Sequence, residues 1–75
     1  MASVVNIVDK MKRQPSGISM EEADKVLNHY GYEFKRQTGS HRQYRNSNGD
    51  KMSIPRRKPN ILSCYVYEII NKLGL

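Results

Sequence analysis

The chain is 75 residues long, enough for one domain and too short for two. A domain of this size buries only roughly 60% of its unfolded surface. With 37% hydrophobic residues, no Trp and one Phe, that leaves no room for a deep closed pocket, so any site is expected on an open surface. Thirteen Lys and Arg against seven Asp and Glu give a net charge of +6, which favours polyanionic partners, nucleic acid first and an acidic protein second.

A single cysteine, Cys64, excludes an intramolecular disulfide and any multi-cysteine zinc site. Within its apolar run it reads as a small buried hydrophobe. The N-terminus lacks the apolar core of a signal peptide, and no stretch approaches the about 20 apolar residues that span a bilayer. The chain therefore reads as cytosolic, with neither a membrane nor a small-molecule cofactor among its expected partners.

Residues 3–13 carry Val4, Ile7, Val8 and Met11 at the i, i+3, i+4, i+7 spacing of an amphipathic helix. Ser3 is placed to cap it, Lys10, Lys12 and Arg13 suit the negative end of its dipole, and Pro15-Ser16-Gly17 stops it. This helix reads as an accessory, so residues 1–17 form an N-terminal helix and linker and residues 18–75 the main domain. Ser19-Met20-Glu21-Glu22 has the S-x-x-E pattern of a capping box. Ala23, Val26, Leu27 and Tyr30 follow at helical spacing and Gly31 sits at the C-terminal cap, which predicts a helix from about 20 to 30. His29, at the negative end of that helix, needs no catalytic explanation.

After Gly31 the period changes to alternation. Tyr32 and Phe34 interleave with Glu33, Lys35 and Gln37, the pattern of a half-buried strand. Thr38-Gly39-Ser40 reads as a hairpin connection, followed by a strand from His41 to Asn46. Asn48-Gly49 marks a tight turn before a third strand, Lys51 to Ile54. If Tyr32, Phe34, Tyr44, Met52 and Ile54 face the core, the opposite face collects Lys35, Gln37, His41, Gln43, Arg45, Lys51 and Ser53. Antiparallel sheets often leave one face wet in this way. This parity assumes no bulge near Gly39.

Arg56-Arg57-Lys58 lies in a loop fenced by Pro55 and Pro59, where phosphate contact competes with plain solvation. Leu62, Val66, Ile69, Ile70 and Leu73 then give a last helix, with Asn60 or Ser63 available as its cap and Gly74 just past its end. Tyr65 and Tyr67 fall off its stripe. The order is an accessory helix followed by α-β-β-β-α. That implies an α+β fold with a three-stranded antiparallel sheet and two helices on one face, the layout of double-stranded-RNA-binding domains.

The residues of most chemical interest are Thr38 to Tyr44. They set an imidazole directly after a Gly-Ser turn, in a strongly basic neighbourhood. Imidazole exchanges protons near neutrality, with a reference pKa of about 6.5. Lys35, Arg36, Arg42 and Arg45 offer charge for phosphate, and glycine in Gly39-Ser40 allows a backbone N–H to approach closely. His41 is the only good proton-transfer candidate on the wet face. The acidic residues are scattered and the two histidines lack ligand spacing, so no metal site is expected.

Three quarters of the chain, Ser19 to Leu75, resembles the HicA family of toxins from bacterial toxin–antitoxin systems. The resemblance rests on Tyr30-Gly31-Tyr32-Glu33-Phe34, Arg36-Gln37-Thr38-Gly39-Ser40-His41, Tyr44-Arg45, Asn48-Gly49, Ile54-Pro55 and the closing Ile69 to Leu75. The chain departs from the family at Cys64-Tyr65, where many members carry Gly-Thr, and in its short proline-fenced loop. The resemblance implies a small endoribonuclease that cleaves mRNA (an mRNA interferase), silenced by a HicB antitoxin, with His41 in the place of the family's catalytic histidine. Metal-free cleavage would use the substrate's 2′-OH, with His41 moving a proton and Lys35, Arg36, Gly39, Ser40, Arg42, Arg45, Arg56, Arg57 and Lys58 as candidate contacts to single-stranded RNA. Two readings stand beside it: a non-catalytic RNA-binding module of the same fold, and a protein-interaction domain whose basic surface meets an acidic partner.

Overall fold

The computed structural model describes residues 3–75. Helix α1 spans Val4–Arg13, and the Ser3 hydroxyl caps it by accepting from the Asn6 amide at 3.3 Å. A single 3-10 turn at Pro15–Gly17 separates it from α2, Met20–His29. The capping box of α2 is complete. Ser19 Oγ accepts from the Glu22 amide at 3.2 Å, and Glu22 accepts from the Ser19 amide at 3.0 Å. Lys10 of α1 reaches the same carboxylate at 3.1 Å, tying the two helices together. Partial burial pushes the Glu22 carboxyl up, but the Ser19 amide and Lys10 outweigh it and hold the pKa below the usual value.

Gly31, at φ 89°, closes α2. Its amide bonds to the Asn28 carbonyl while the Tyr32 amide bonds to that of Leu27, the paired bonds of a Schellman motif. The chain then forms β1 (Glu33–Thr38), β2 (His41–Arg45) and β3 (Lys51–Pro55), an antiparallel sheet in the order β1-β2-β3. Between β2 and β3 the Asn46 side chain accepts from the amides of Asn48 and Asp50 and so organises the turn that contains Asn48-Gly49. Helix α3 runs from Ser63 to Leu73, and Gly74 caps its end at φ 68°.

One core joins the three helices with β2 and β3. Tyr44, Met52 and Ile54 from the sheet pack with Ala23, Val26 and Leu27 of α2 and with Val66 and Ile69 of α3. Ile7 and Met11 of α1 are buried in the same cluster, and α1 lies against both α2 and α3. Ile18 and Ile61 fill the space at the linkers, where the Ile61 amide bonds to the Ile18 carbonyl at 2.8 Å. The helices thus cover one face of the sheet and leave the other to solvent, the α+β layout expected from the element order. No described helix is long and apolar enough to cross a membrane.

Several expectations about individual residues do not hold. Phe34 is 41% exposed, its ring covered by the Arg42 guanidinium rather than packed into the core. Tyr30 is also exposed, since the chain has already left α2 at that position. Cys64 is exposed rather than buried, because it falls on the outer side of the first turn of α3. Neither Asn60 nor Ser63 caps that helix: Leu62 occupies the cap position without a side-chain bond, and is itself exposed.

The largest departure concerns the parity of β1. The pairing passes from Phe34–Tyr44 directly to Arg36–Gln43, so Lys35 is an extra residue in a β-bulge. The bulge lies in the middle of β1, not at Gly39. Beyond it every side chain changes face: Arg36 joins the wet side, and Gln37, expected there, pairs with Arg42 on the helix side.

Candidate functional site on the open sheet face

A two-residue turn presents His41. Thr38 and His41 form the closing pair of the β1–β2 hairpin, with only Gly39 and Ser40 between them. Gly39 has φ 60° while Ser40 does not take a positive φ, the arrangement of a type II′ turn, in which the first central position calls for glycine. The turn is held from two sides. The Gln37 side-chain amide donates to the Gly39 carbonyl at 3.0 Å, and the Arg56 backbone amide donates to the Ser40 carbonyl at 2.6 Å. The second bond docks the start of the basic loop beside His41.

On the open face, cross-strand rows follow from the register: Thr38, His41 and Pro55; then Arg36, Gln43 and Ser53; then Glu33, Arg45 and Lys51. His41 is exposed, and its Nδ1 lies 3.3 Å from Ser53 Oγ one row away. That contact fixes one ring nitrogen and leaves Nε2 without a partner among the described residues. At the other end, Lys35, Arg36, Gln43, Tyr44, Arg45 and Lys51 line an open depression of about 420 Å³. Lys35 pairs with Glu33 at 3.1 Å, whereas Arg36, Arg45 and Lys51 have no carboxylate partner among the described residues. The bulge brings Lys35 and Arg36 to the same side as the cations of β2 and β3.

Arg42 lies on the other side of the sheet. Its guanidinium stacks over Phe34, 4.0 Å from the ring centroid, donates to Tyr44 Oη at 3.0 Å and reaches Asp24 Oδ1 of α2 at 3.1 Å. Tyr44 Oη in turn donates to the same carboxylate oxygen at 2.6 Å. The bond to Tyr44, followed by that to Asp24, raises the Arg42 pKa. Burial, followed by the Asp24 carboxylate, pushes the Tyr44 phenol up to about 12, against the opposing pull of Arg42.

The candidates named from sequence therefore fall into three places. His41 lies at one end of the open face with the Gly39-Ser40 turn. Lys35, Arg36 and Arg45 gather at one end of that face. Arg56, Arg57 and Lys58 are exposed just beyond Pro55, the residue opposite His41, and line a hollow with Met20 and Glu21 at the start of α2. Arg42 belongs to none of these. Ser53 against His41, and Gln43 and Lys51 in the depression, were not named as candidates. Their alternation with Tyr44, Met52 and Ile54 put them on the wet face, but no local pattern shows which partners the register brings them. His29 is exposed and meets only the edge of Tyr30, 5.0 Å between ring centroids. Among the described residues, no three His, Cys, Asp or Glu side chains gather as a metal-binding group.

A family model described as the HicA toxin of bacterial toxin–antitoxin systems matches residues 20–75. The match begins at the first residue of α2, so α1 lies outside it. No curated protein and no solved structure matches the chain.

Proposed function

The chain belongs to the HicA family of bacterial toxin–antitoxin toxins, and on that premise we propose that it is an endoribonuclease that cleaves mRNA through His41 and is silenced by a HicB-like antitoxin. The observation that carries this reading is the setting of His41: an exposed imidazole at a braced hairpin turn, oriented by Ser53 through Nδ1, with Nε2 unpartnered among the described residues and Arg36 one row away.

The proposed chemistry needs only the chain, its substrate and water. With Nδ1–H donating to Ser53 Oγ, the Nε2 lone pair takes the proton of the ribose 2′-OH. The 2′-oxygen forms a bond to the adjacent phosphorus as the bond from phosphorus to the 5′-oxygen breaks. The departing 5′-oxygen takes a proton from water, the hydroxide left behind recovers the proton from the imidazolium, and the products are a 2′,3′-cyclic phosphate and a free 5′-hydroxyl. Arg36, one row from His41, is placed to meet the charge that builds on the phosphoryl oxygens.

Proton transfer by a positioned side chain contributes about 10²–10⁴-fold, so His41→Ala should lower cleavage by that factor and abolish growth arrest on induction. The side chain is exposed, so thermal stability should stay within about 0.5 kcal/mol of the parent. Undiminished toxicity of the folded variant would refute the assignment. Co-purification with the product of an adjacent small reading frame, together with loss of RNA cleavage in that complex, checks the antitoxin.

A further inference from the structure

Resting on the reading of His41 as the point of cleavage, we propose that the depression lined by Lys35, Arg36, Gln43, Arg45 and Lys51 is a second binding site for the same single-stranded RNA. It would take a phosphate and its nucleotide some way along the strand from the cleaved bond. The substrate would then be held at two points of the open face, and cleavage would depend on its length.

Three observations carry this. The first is the bulge at Lys35, which turns Lys35 and Arg36 toward Arg45 and Lys51. Without the bulge, Arg36 would point to the helix side and Gln37 would replace it. Arg36, Arg45 and Lys51 line one hollow without an ion pair to a carboxylate among the described residues, and Glu33, the cross-strand neighbour of Arg45, pairs with Lys35. Mutually repelling cations around one hollow form a focus for an anion.

The second observation is size. The depression, about 420 Å³, falls within the range of roughly 300–1,000 Å³ typical of small-ligand sites. It therefore admits a nucleotide-sized group and is not merely a crease between side chains. Gln43 stands between the depression and His41 and carries an amide that can donate to and accept from a base edge.

The third is alignment. Arg45 and His41 lie on the same face of β2, four residues apart, or roughly 13 Å along the strand. An extended single strand spans that distance in roughly two nucleotide steps, in the manner of basic grooves that track a backbone. Beyond His41 the face ends at Pro55, and the basic loop that follows turns toward the start of α2. An acidic protein segment would also be drawn to such charge. The in-line placement with His41 and the intervening amide favour RNA.

The test uses the full chain carrying His41→Ala, so that RNA is bound and not cut, with a fluorescent single-stranded oligoribonucleotide of roughly ten nucleotides. Adding Arg45→Gln and Lys51→Gln should flatten the slope of log K against log salt by about 0.7 to 1.4, since each phosphate contact on a single strand contributes about 0.7. Lys12→Gln on α1, remote from the face, should leave it unchanged. With His41 restored, the Arg45→Gln/Lys51→Gln variant should lose about tenfold in kcat/KM on the oligonucleotide. It should match the parent on a dinucleoside monophosphate, which is too short to reach the depression. An unchanged salt slope, or equal losses on both substrates, overturns the proposal. A flattened slope from a parent protein that cuts neither substrate upholds the binding site and refutes the ribonuclease reading. Loss of antitoxin binding with RNA binding intact assigns the hollow to protein contact and overturns it.

Discussion

Tyr44→Phe isolates the lock that holds the His41-bearing hairpin against α2. The Tyr44 side chain is 1% exposed, and its hydroxyl sits between Asp24 Oδ1 at 2.6 Å and Arg42 Nε at 3.0 Å. Phenylalanine fills the same space, so the substitution opens no cavity and removes only the hydroxyl. A hydrogen bond to a charged group is worth about 1.5–3 kcal/mol. Asp24 and Arg42 remain paired with each other and are partly solvated, which places the loss near the lower end, about 1.5–2 kcal/mol. In a domain of this size each kcal/mol moves Tm by roughly 4–8 °C, so a fall of roughly 6–16 °C is expected at pH 7. The pH dependence supplies a second check. The phenol is raised in the fold from 10 to about 12. Its stabilising contribution is therefore complete below pH 10, the unfolded value, and is lost as pH rises through the folded value. Urea denaturation of both proteins from pH 7 to 12 should show a constant gap up to about pH 9 that closes by about pH 12. A gap below about 0.5 kcal/mol at pH 7, or one that stays constant to pH 12, would refute the reasoning.

Ser53→Ala should lower kcat by roughly 5- to 10-fold with KM unchanged, the worth of one hydrogen bond of about 1 kcal/mol, and Ser53→Thr should restore it; an unaltered kcat for the alanine variant would show that Ser53 does not orient His41. Glu22→Gln removes a carboxylate whose pKa is lowered in the fold. The parent's advantage over that variant should be complete above the usual carboxylate range and lost as pH falls through the lowered value, read by acid denaturation of both proteins. Met11→Ala, at a fully buried site on α1, should cost about 2–5 kcal/mol by urea denaturation; a cost under about 1 kcal/mol would show α1 to be an appendage rather than part of the core.

The features that could be read from sequence are those whose physics is local. Ser19 and Glu22 satisfy each other's backbone amides within one turn, so the start of α2 is written in four residues. Gly31 ends that helix, and Gly39 makes the turn, because a positive φ demands glycine there. Met52 and Ile54 face the core because β3 is regular and one of its faces is covered. What escaped reading depends on neighbours distant in sequence. The bulge inserts Lys35 beside Arg36, two cations that look alike to any pattern of polarity, so nothing local marks the change of face. Phe34 fits the alternation of a strand, but its cover is the Arg42 guanidinium, which only the fold brings over its ring. The same holds for Ser53, twelve positions from His41, whose contact exists only once β2 and β3 are in register.

These non-local features decide which charges serve the site. Strand β2 alternates between two tasks: His41, Gln43 and Arg45 face the solvent, while Arg42 and Tyr44 face α2. Adjacency in sequence made Arg42 look like the natural phosphate partner of His41. In the fold its guanidinium is held by Asp24, Tyr44 and the Phe34 ring, so releasing it to RNA would break an ion pair and two other contacts at once. The charge next to His41 comes instead from β1, where the bulge turns Arg36 outward, while the loop after β3 braces the hairpin through the Arg56 amide on the Ser40 carbonyl. The strand that carries the imidazole thus spends its nearest cation on rigidity, and its neighbours provide the electrostatics. On an open surface this division has a physical reason. A side chain exposed to water on a 75-residue domain keeps its orientation only if the backbone beneath it is fixed. Here the lock on one side of β2 fixes the hairpin from which His41 projects on the other.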